Sequence, residues 1–122
     1  MKKKILLIED DADTADIVRI ILEEEFHVET NDSVMPVDHI EAMRPDLIIL
    51  DHRLRNGFGG DLCQALKKTH STSYIPILLM SAYYNTEEVA KTCGADQYIY
   101  KPFDIEHLRS SVASLIAAVQ TK

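Results

Sequence analysis

The sequence predicts a doubly wound α/β fold, a five-stranded parallel sheet flanked by five helices, and three patterns carry that prediction. Short runs rich in Ile, Leu, Val or Tyr recur at residues 5–8, 26–30, 47–50, 75–79 and 97–100. The runs follow one another at intervals of roughly twenty to thirty residues, enough for a helix between each pair. The first, third and fourth are continuously apolar, as strands covered on both faces must be, and parallel neighbours need right-handed crossovers of helix length.

Taken in order, the run at 5–8 is a central strand that ends at Glu9-Asp10-Asp11, where Asp11 reads as the cap of the first helix. In that helix Ile17, Ile20 and Ile21 form the apolar stripe expected to lie on the sheet. The run at 26–30 alternates, with His27 and Glu29 interrupting Phe26 and Val28, and reads as an edge strand. Pro45 ends the second helix before the central run at 47–50, and the third helix offers Leu62, Ala65 and Leu66. After the central run at 75–79, Gly94 stops the fourth helix and the run at 97–100 completes the sheet. Asp104 caps a fifth helix whose stripe is Ile105, Leu108, Val112, Leu115 and Val119.

The 122 residues, 46% hydrophobic and 27% charged, fit one domain over residues 1–122 without linker, repeat or low-complexity segment. The net charge of −7 argues against direct nucleic-acid binding, which needs clustered Lys and Arg, while Lys2-Lys3-Lys4 is a lone tripeptide. No run approaches the roughly 20 apolar residues of a membrane span, and the N-terminal apolar stretch is too short for a signal peptide, so a cytoplasmic location is expected. Cys63 and Cys93 have neither metal-site nor redox-motif spacing and read as reduced, structural thiols.

Ligands of open α/β sheets sit beyond the carboxyl ends of the strands. Those ends carry Glu9 and Asp10, Asp51, Ser81 and Lys101. Carboxylates gathered at one edge repel, a unit pair at 4 Å costing about 4 kcal/mol at an effective dielectric near 20, so a cation is expected among them. All-oxygen ligation favours Mg²⁺ or Mn²⁺ over zinc. Ser81 adds a hydroxyl donor and Lys101 a charge, the partners that phosphoryl oxygens need, which makes Asp51 a candidate nucleophile for phosphoryl transfer.

Ile-Glu-Asp-Asp at 8–11, Leu-Asp-His-Arg-Leu at 50–54, Met-Ser-Ala at 80–82 and Tyr-Ile-Tyr-Lys-Pro-Phe at 98–103 together resemble the receiver domains of two-component response regulators, over essentially the whole chain. The resemblance implies a flavodoxin-like (βα)5 fold with strand order 2-1-3-4-5, of the stand-alone single-domain type. Asp51 would be the phospho-acceptor. Mg²⁺ would be held by Glu9, Asp10, Asp51 and the backbone carbonyl of Arg53. Ser81 would be the switch hydroxyl, Lys101 the phosphate partner and Tyr98 the aromatic switch, with a cis bond before Pro102.

The phosphoryl source would be a histidine kinase or a histidine phosphotransfer protein. The output would be an unidentified downstream protein, bound through the fourth helix, fifth strand and fifth helix, and a phosphorylation-dependent dimer is compatible with that face. Such a domain is not a conventional enzyme, although it would catalyse its own phosphorylation and slow dephosphorylation.

Arg53 and Tyr83 are bulky at two positions that vary among receivers and flank the phosphate, and both are expected to restrict the hydrolytic water. Arg55 stands where the family commonly has Pro, whereas Gly59 matches. Gly57-Phe58-Gly59-Gly60 lacks the Lys-Ser or Lys-Thr of a nucleotide cradle and reads as turn geometry. Tyr83, Tyr84, Tyr98 and Tyr100 are expected to cluster as a partner site, and His52 to be structural. A small metal-dependent phosphohydrolase is an alternative, opposed by Arg53 where that class needs a second acid. A phosphorylation-independent interaction module is another, opposed by the intact polar set. An FMN carrier is disfavoured by acids where its phosphate loop would lie.

Overall fold

The computed structural model describes residues 2–120, with side chains as far as residue 118. The elements are β1 (Lys3–Ile8), α1 (Ala12–Leu22), β2 (Phe26–Asn31), α2 (Val37–Met43), β3 (Leu47–Asp51), β4 (Arg53–Leu54), β5 (Gly57–Phe58), α3 (Gly59–Lys68), β6 (Ile77–Ser81), α4 (Thr86–Cys93), β7 (Gln97–Tyr100) and α5 (Ile105–Gln120). The sheet is parallel throughout, in the order β2-β1-β3-β6-β7, which is 2-1-3-4-5 for the five long strands. The two-residue strands β4 and β5 pair antiparallel as a small hairpin that no periodicity announces.

Alternation explains the continuously apolar runs. Ile5 and Leu7 point into one core with Leu47, Ile49, Leu78 and Met80, beneath α1 and α5. Leu6 and Ile8 point into the other with Ile48, Leu50 and Ile77, beneath α2 and α3. Each face needs its own apolar set, and a buried Leu or Ile contributes about 1.5–3 kcal/mol.

The helix ends follow their capping chemistry. Asp11 accepts from Thr14 N at the start of α1. Gly94 adopts φ 83° after α4, and Asp104 accepts from His107 N at the start of α5. Arg44 takes the left-handed position (φ 52°) ahead of Pro45.

The stripes differ from expectation at four residues. Ile17 and Ile20 are exposed, and α1 buries Ala15, Val18 and Leu22 instead, with Ile21 partly packed. Ala65 is exposed while Cys63 joins Leu62 and Leu66 in the core. Ile105 is exposed at the first turn of α5, and Val119 lies outside the described side chains. The fourth strand begins at Ile77, not Ile75: Pro76 has no N–H to give, although its carbonyl accepts from Ile48 N.

Register then sets the strand ends side by side. Ile8 pairs with Leu50, Asp51 with Met80, and Ser81 with Tyr100. Glu9 therefore falls level with Asp51, and Lys101 one step beyond Tyr100. A Cβ at Gly59 would collide with the Asp51 carbonyl, so only glycine lets α3 start directly against the end of β3.

Candidate functional site

Glu9, Asp51 and Lys101 meet beyond the sheet's carboxyl edge. Lys101 Nζ lies 2.5 Å from Glu9 Oε1 and 3.2 Å from Asp51 Oδ2. The Glu9 side chain is fully buried, and its other oxygen accepts from Asp11 N at 3.2 Å. Asp51 is buried as well, whereas Asp10 is half-buried. One oxygen from each of Glu9, Asp10 and Asp51 falls within 4.8 Å of the others.

The electrostatics follow from one cation among three acids. Burial pushes the Glu9 carboxyl above its ordinary range and the neighbouring Asp51 carboxyl adds to the rise, against the pull of Lys101 and Asp11 N–H. Burial also acts to discharge Lys101, but Glu9 and Asp51 outweigh it and leave the ammonium above its ordinary value. Negative charge stays in excess, and the donors are carboxylate oxygens. The set suits a hard dication that keeps part of its water shell.

Ser81 is buried at the end of β6. Its Oγ accepts from Tyr83 N at 3.1 Å, leaving its own O–H as a donor, and its carbonyl accepts from Lys101 N at 2.9 Å. Thr86 fixes the following turn by donating from Oγ1 to the Tyr83 carbonyl at 2.6 Å. The Arg53 guanidinium lies over the Tyr83 ring, 4.1 Å from its centroid.

Tyr98 stands apart from the carboxylates. It lines a groove between α4 and α5 and meets Tyr100 edge to face at 5.6 Å. Burial and the nearby Glu87 hold its phenol above the ordinary range. The expected cluster of four tyrosines resolves into this pair, Tyr83 beneath Arg53, and Tyr84, which is 93% exposed. The Lys101-Pro102 bond is cis. His52 accepts from Gly60 N at 3.1 Å and packs on Phe58, a structural role.

Two clefts open beside the cluster. One, of about 430 Å³, is lined by Glu9, Asp10, Asp16, Asn31, Asp32 and Arg55. The other, of about 350 Å³, is lined by Thr14, Ile17, Ala82, Lys101, Pro102 and Phe103. Sequence reasoning does not find this second cleft, because it assigns Ile17 to the buried stripe of α1.

The family model for the response regulator receiver domain matches residues 5–113. Curated relatives include the DNA-binding dual master transcriptional regulator RpaA of Synechocystis sp., 34% identical over 93% of this chain and 48% of its own length. The DNA-binding response regulator MtrA of Mycobacterium tuberculosis is 34% identical over 92% of this chain and 50% of its own. The chain spans about half the length of the curated relatives it matches.

Among solved structures, the signal receiver domain of a signal transduction histidine kinase from Syntrophus aciditrophicus has a TM-score of 0.82 at 31% identity, covering 98% of this chain and 94% of that one. The receiver domain of sensor histidine kinase PA1611 from Pseudomonas aeruginosa, with magnesium coordinated in its active-site cleft, shares the fold at a TM-score of 0.86 and 22% identity, over 96% of this chain and 99% of that one.

Proposed function

The chain belongs to the response regulator receiver domain family, and from that premise we propose that it accepts a phosphoryl group on Asp51 in a Mg²⁺-dependent reaction and passes the signal to a protein partner. Membership itself assigns the chain to two-component phosphorylation signalling, by a domain type that is not a conventional enzyme. The observation that carries the finer reading is the placement of Asp51 between the carboxylates of Glu9 and Asp10 and the ammonium of Lys101.

Glu9, Asp10, Asp51 and the Arg53 carbonyl would hold the metal, with Mn²⁺ as a substitute. When bound, the dication screens the carboxylates and neutralises charge on the incoming phosphoryl oxygens. An Asp51 carboxylate oxygen attacks phosphorus in a phosphohistidine of a kinase or phosphotransfer protein. The P–N bond breaks as the P–O bond forms, and the leaving imidazole takes its proton from solvent. Lys101 exchanges its hold on Asp51 for a phosphoryl oxygen, and Ser81 swings its side chain inward so that Oγ–H reaches another.

That inward turn releases Tyr83 N from Ser81 and loosens the segment leading into α4, which biases Tyr98 and the surface of α4, β7 and α5. This surface is the proposed output face, and it also suits a phosphorylation-dependent dimer. A protein is the proposed direct partner; the net charge of −7 opposes nucleic acid. Among the described residues no helix is long and apolar enough to cross a membrane.

The test is to incubate the protein with Mg²⁺ and a small acyl phosphate and weigh it intact. One phosphoryl group on the wild type and none on Asp51→Asn is expected. A wild type that gains no mass, or an Asp51→Asn variant that gains as much, would overturn the assignment.

A further inference from the structure

Cys63 in α3 and Cys93 at the end of α4 are separated by 30 residues of chain, yet the fold buries them against each other. Cys63 Sγ–H donates to the Cys93 carbonyl at 3.4 Å, and both side chains are buried in the same apolar cluster. Gly60, in the first turn of α3, lets the helices come this close: a Cβ there would lie 3.1 Å from Val89 Cγ1 of α4. We propose that Cys63 and Cys93 are a peroxide-oxidisable dithiol whose disulfide ties α3 to α4.

The two sulfurs are unequal. Cys93 borders a groove of about 250 Å³ lined by His52, Gly60, Asn85, Glu88 and Thr92, whereas Cys63 is wholly enclosed. The Cys63 side chain beside it holds the Cys93 thiol below its ordinary range, while Cys93 together with burial pushes Cys63 up.

Cys93 is therefore the attacking thiolate and Cys63 the resolving thiol. The Cys93 sulfur bonds to one oxygen of hydrogen peroxide as the O–O bond breaks, giving a sulfenic acid and, after protonation, water. Cys63 then loses its proton and attacks the sulfenic sulfur, the S–S bond forms, and the hydroxide leaves as a second water. Two thiols are oxidised and one peroxide is reduced.

The bond would join the helix that begins against Asp51 to the helix that follows Ser81. Its formation does not depend on the phosphorylation reading.

The test is a tryptic map of the folded wild type, alkylated under non-reducing conditions after brief hydrogen peroxide treatment. The expected result is a linked pair of peptides, residues 56–67 with 92–109, from monomeric protein and released by dithiothreitol. With dimedone present, Cys63→Ser should carry the label on Cys93, and Cys93→Ser should leave Cys63 free. Two free thiols in treated wild type, a link found only between two chains, or dimedone on Cys63 in Cys93→Ser would each overturn the proposal. The wild-type map decides the matter even where a serine variant fails to fold.

Discussion

Lys101 Nζ is nearer to Glu9 Oε1, at 2.5 Å across 92 residues of chain, than to Asp51 Oδ2 at 3.2 Å. The lysine thus has a structural partner as well as a proposed chemical one. Replacing it should injure the fold and the phosphorylation separately.

Lys101→Met leaves the enclosed Glu9 carboxylate without its cation. Breaking a buried pair from one side costs about 3 kcal/mol at the low end, the appropriate end because Lys101 keeps part of its surface in water. Glu9 already has a raised carboxyl, so its penalty is present above the folded value and is relieved as pH falls towards the ordinary 4.5. Urea unfolding should show the variant's deficit at neutral pH shrinking near pH 5, roughly the window this linkage opens. A deficit independent of pH would mean that Glu9 does not sense Lys101.

Metal should stabilise the protein before any phosphate arrives. With carboxylates in excess over the single ammonium, Mg²⁺ at a hundred times its dissociation constant should add about 2.7 kcal/mol, or on the order of 10 °C in Tm for a domain of this size. Asp10→Asn should lose most of that gain in a thermal melt with and without EDTA. An equal gain in the variant would remove Asp10 from the proposed ligand set.

Much of this architecture is legible in the sequence for a physical reason. A parallel strand buried on both faces must be apolar at every position, and the polar residues that end such runs then fall at one sheet edge, as Glu9, Asp51, Ser81 and Lys101 do. The helix faces are less legible. Ile17 and Ile20 repeat at the same three-residue offset as the buried Ala15 and Val18, and the bulkier pair draws the reading to the wrong stripe. Contacts between elements leave no local trace: neither the Cys63–Cys93 contact nor the Arg53–Tyr83 stack has a spacing that announces it.

That stack sharpens the expectation about phosphate lifetime. Arg53 and Tyr83 support one another, with a cation–π contact worth about 0.5–1 kcal/mol at an exposed site. Removing either partner frees the other, so Arg53→Ala and Tyr83→Ala should each speed loss of phosphate from Asp51, and the double variant by less than the two effects combined. The decay of the phosphorylated mass after donor removal measures this. An unchanged lifetime in the double variant would end the idea.

His52 should make the fold sensitive to mild acid. Burial, and secondarily Arg53, hold its imidazole below the ordinary 6.5, and its Nδ1 accepts from Gly60 N. A lowered histidine contributes stability that is present above 6.5 and is lost as pH falls through the folded value. The wild type should weaken below pH 6.5 relative to His52→Asn, whose amide oxygen can still accept from Gly60 N. Parallel pH profiles of the urea midpoint would contradict this.

The exposure of Ile17 and Ile20, more than half of each side chain, bears on the proposed phosphoryl donor. Ile17 shares its cleft with Lys101, Pro102 and Phe103, so apolar surface runs from α1 to the rim of the proposed acceptor site. A small acyl phosphate can reach Asp51 without covering this surface, whereas a donor protein that presents a histidine must press against it. Ile17→Asp should therefore slow phosphorylation by a protein donor, on the order of tenfold for about 1.4 kcal/mol of lost contact, and leave the small-donor rate unchanged. Because Ile17 is exposed, the variant should melt within a few degrees of the wild type. Equal slowing with both donors would locate the defect at the acceptor site instead of the docking surface.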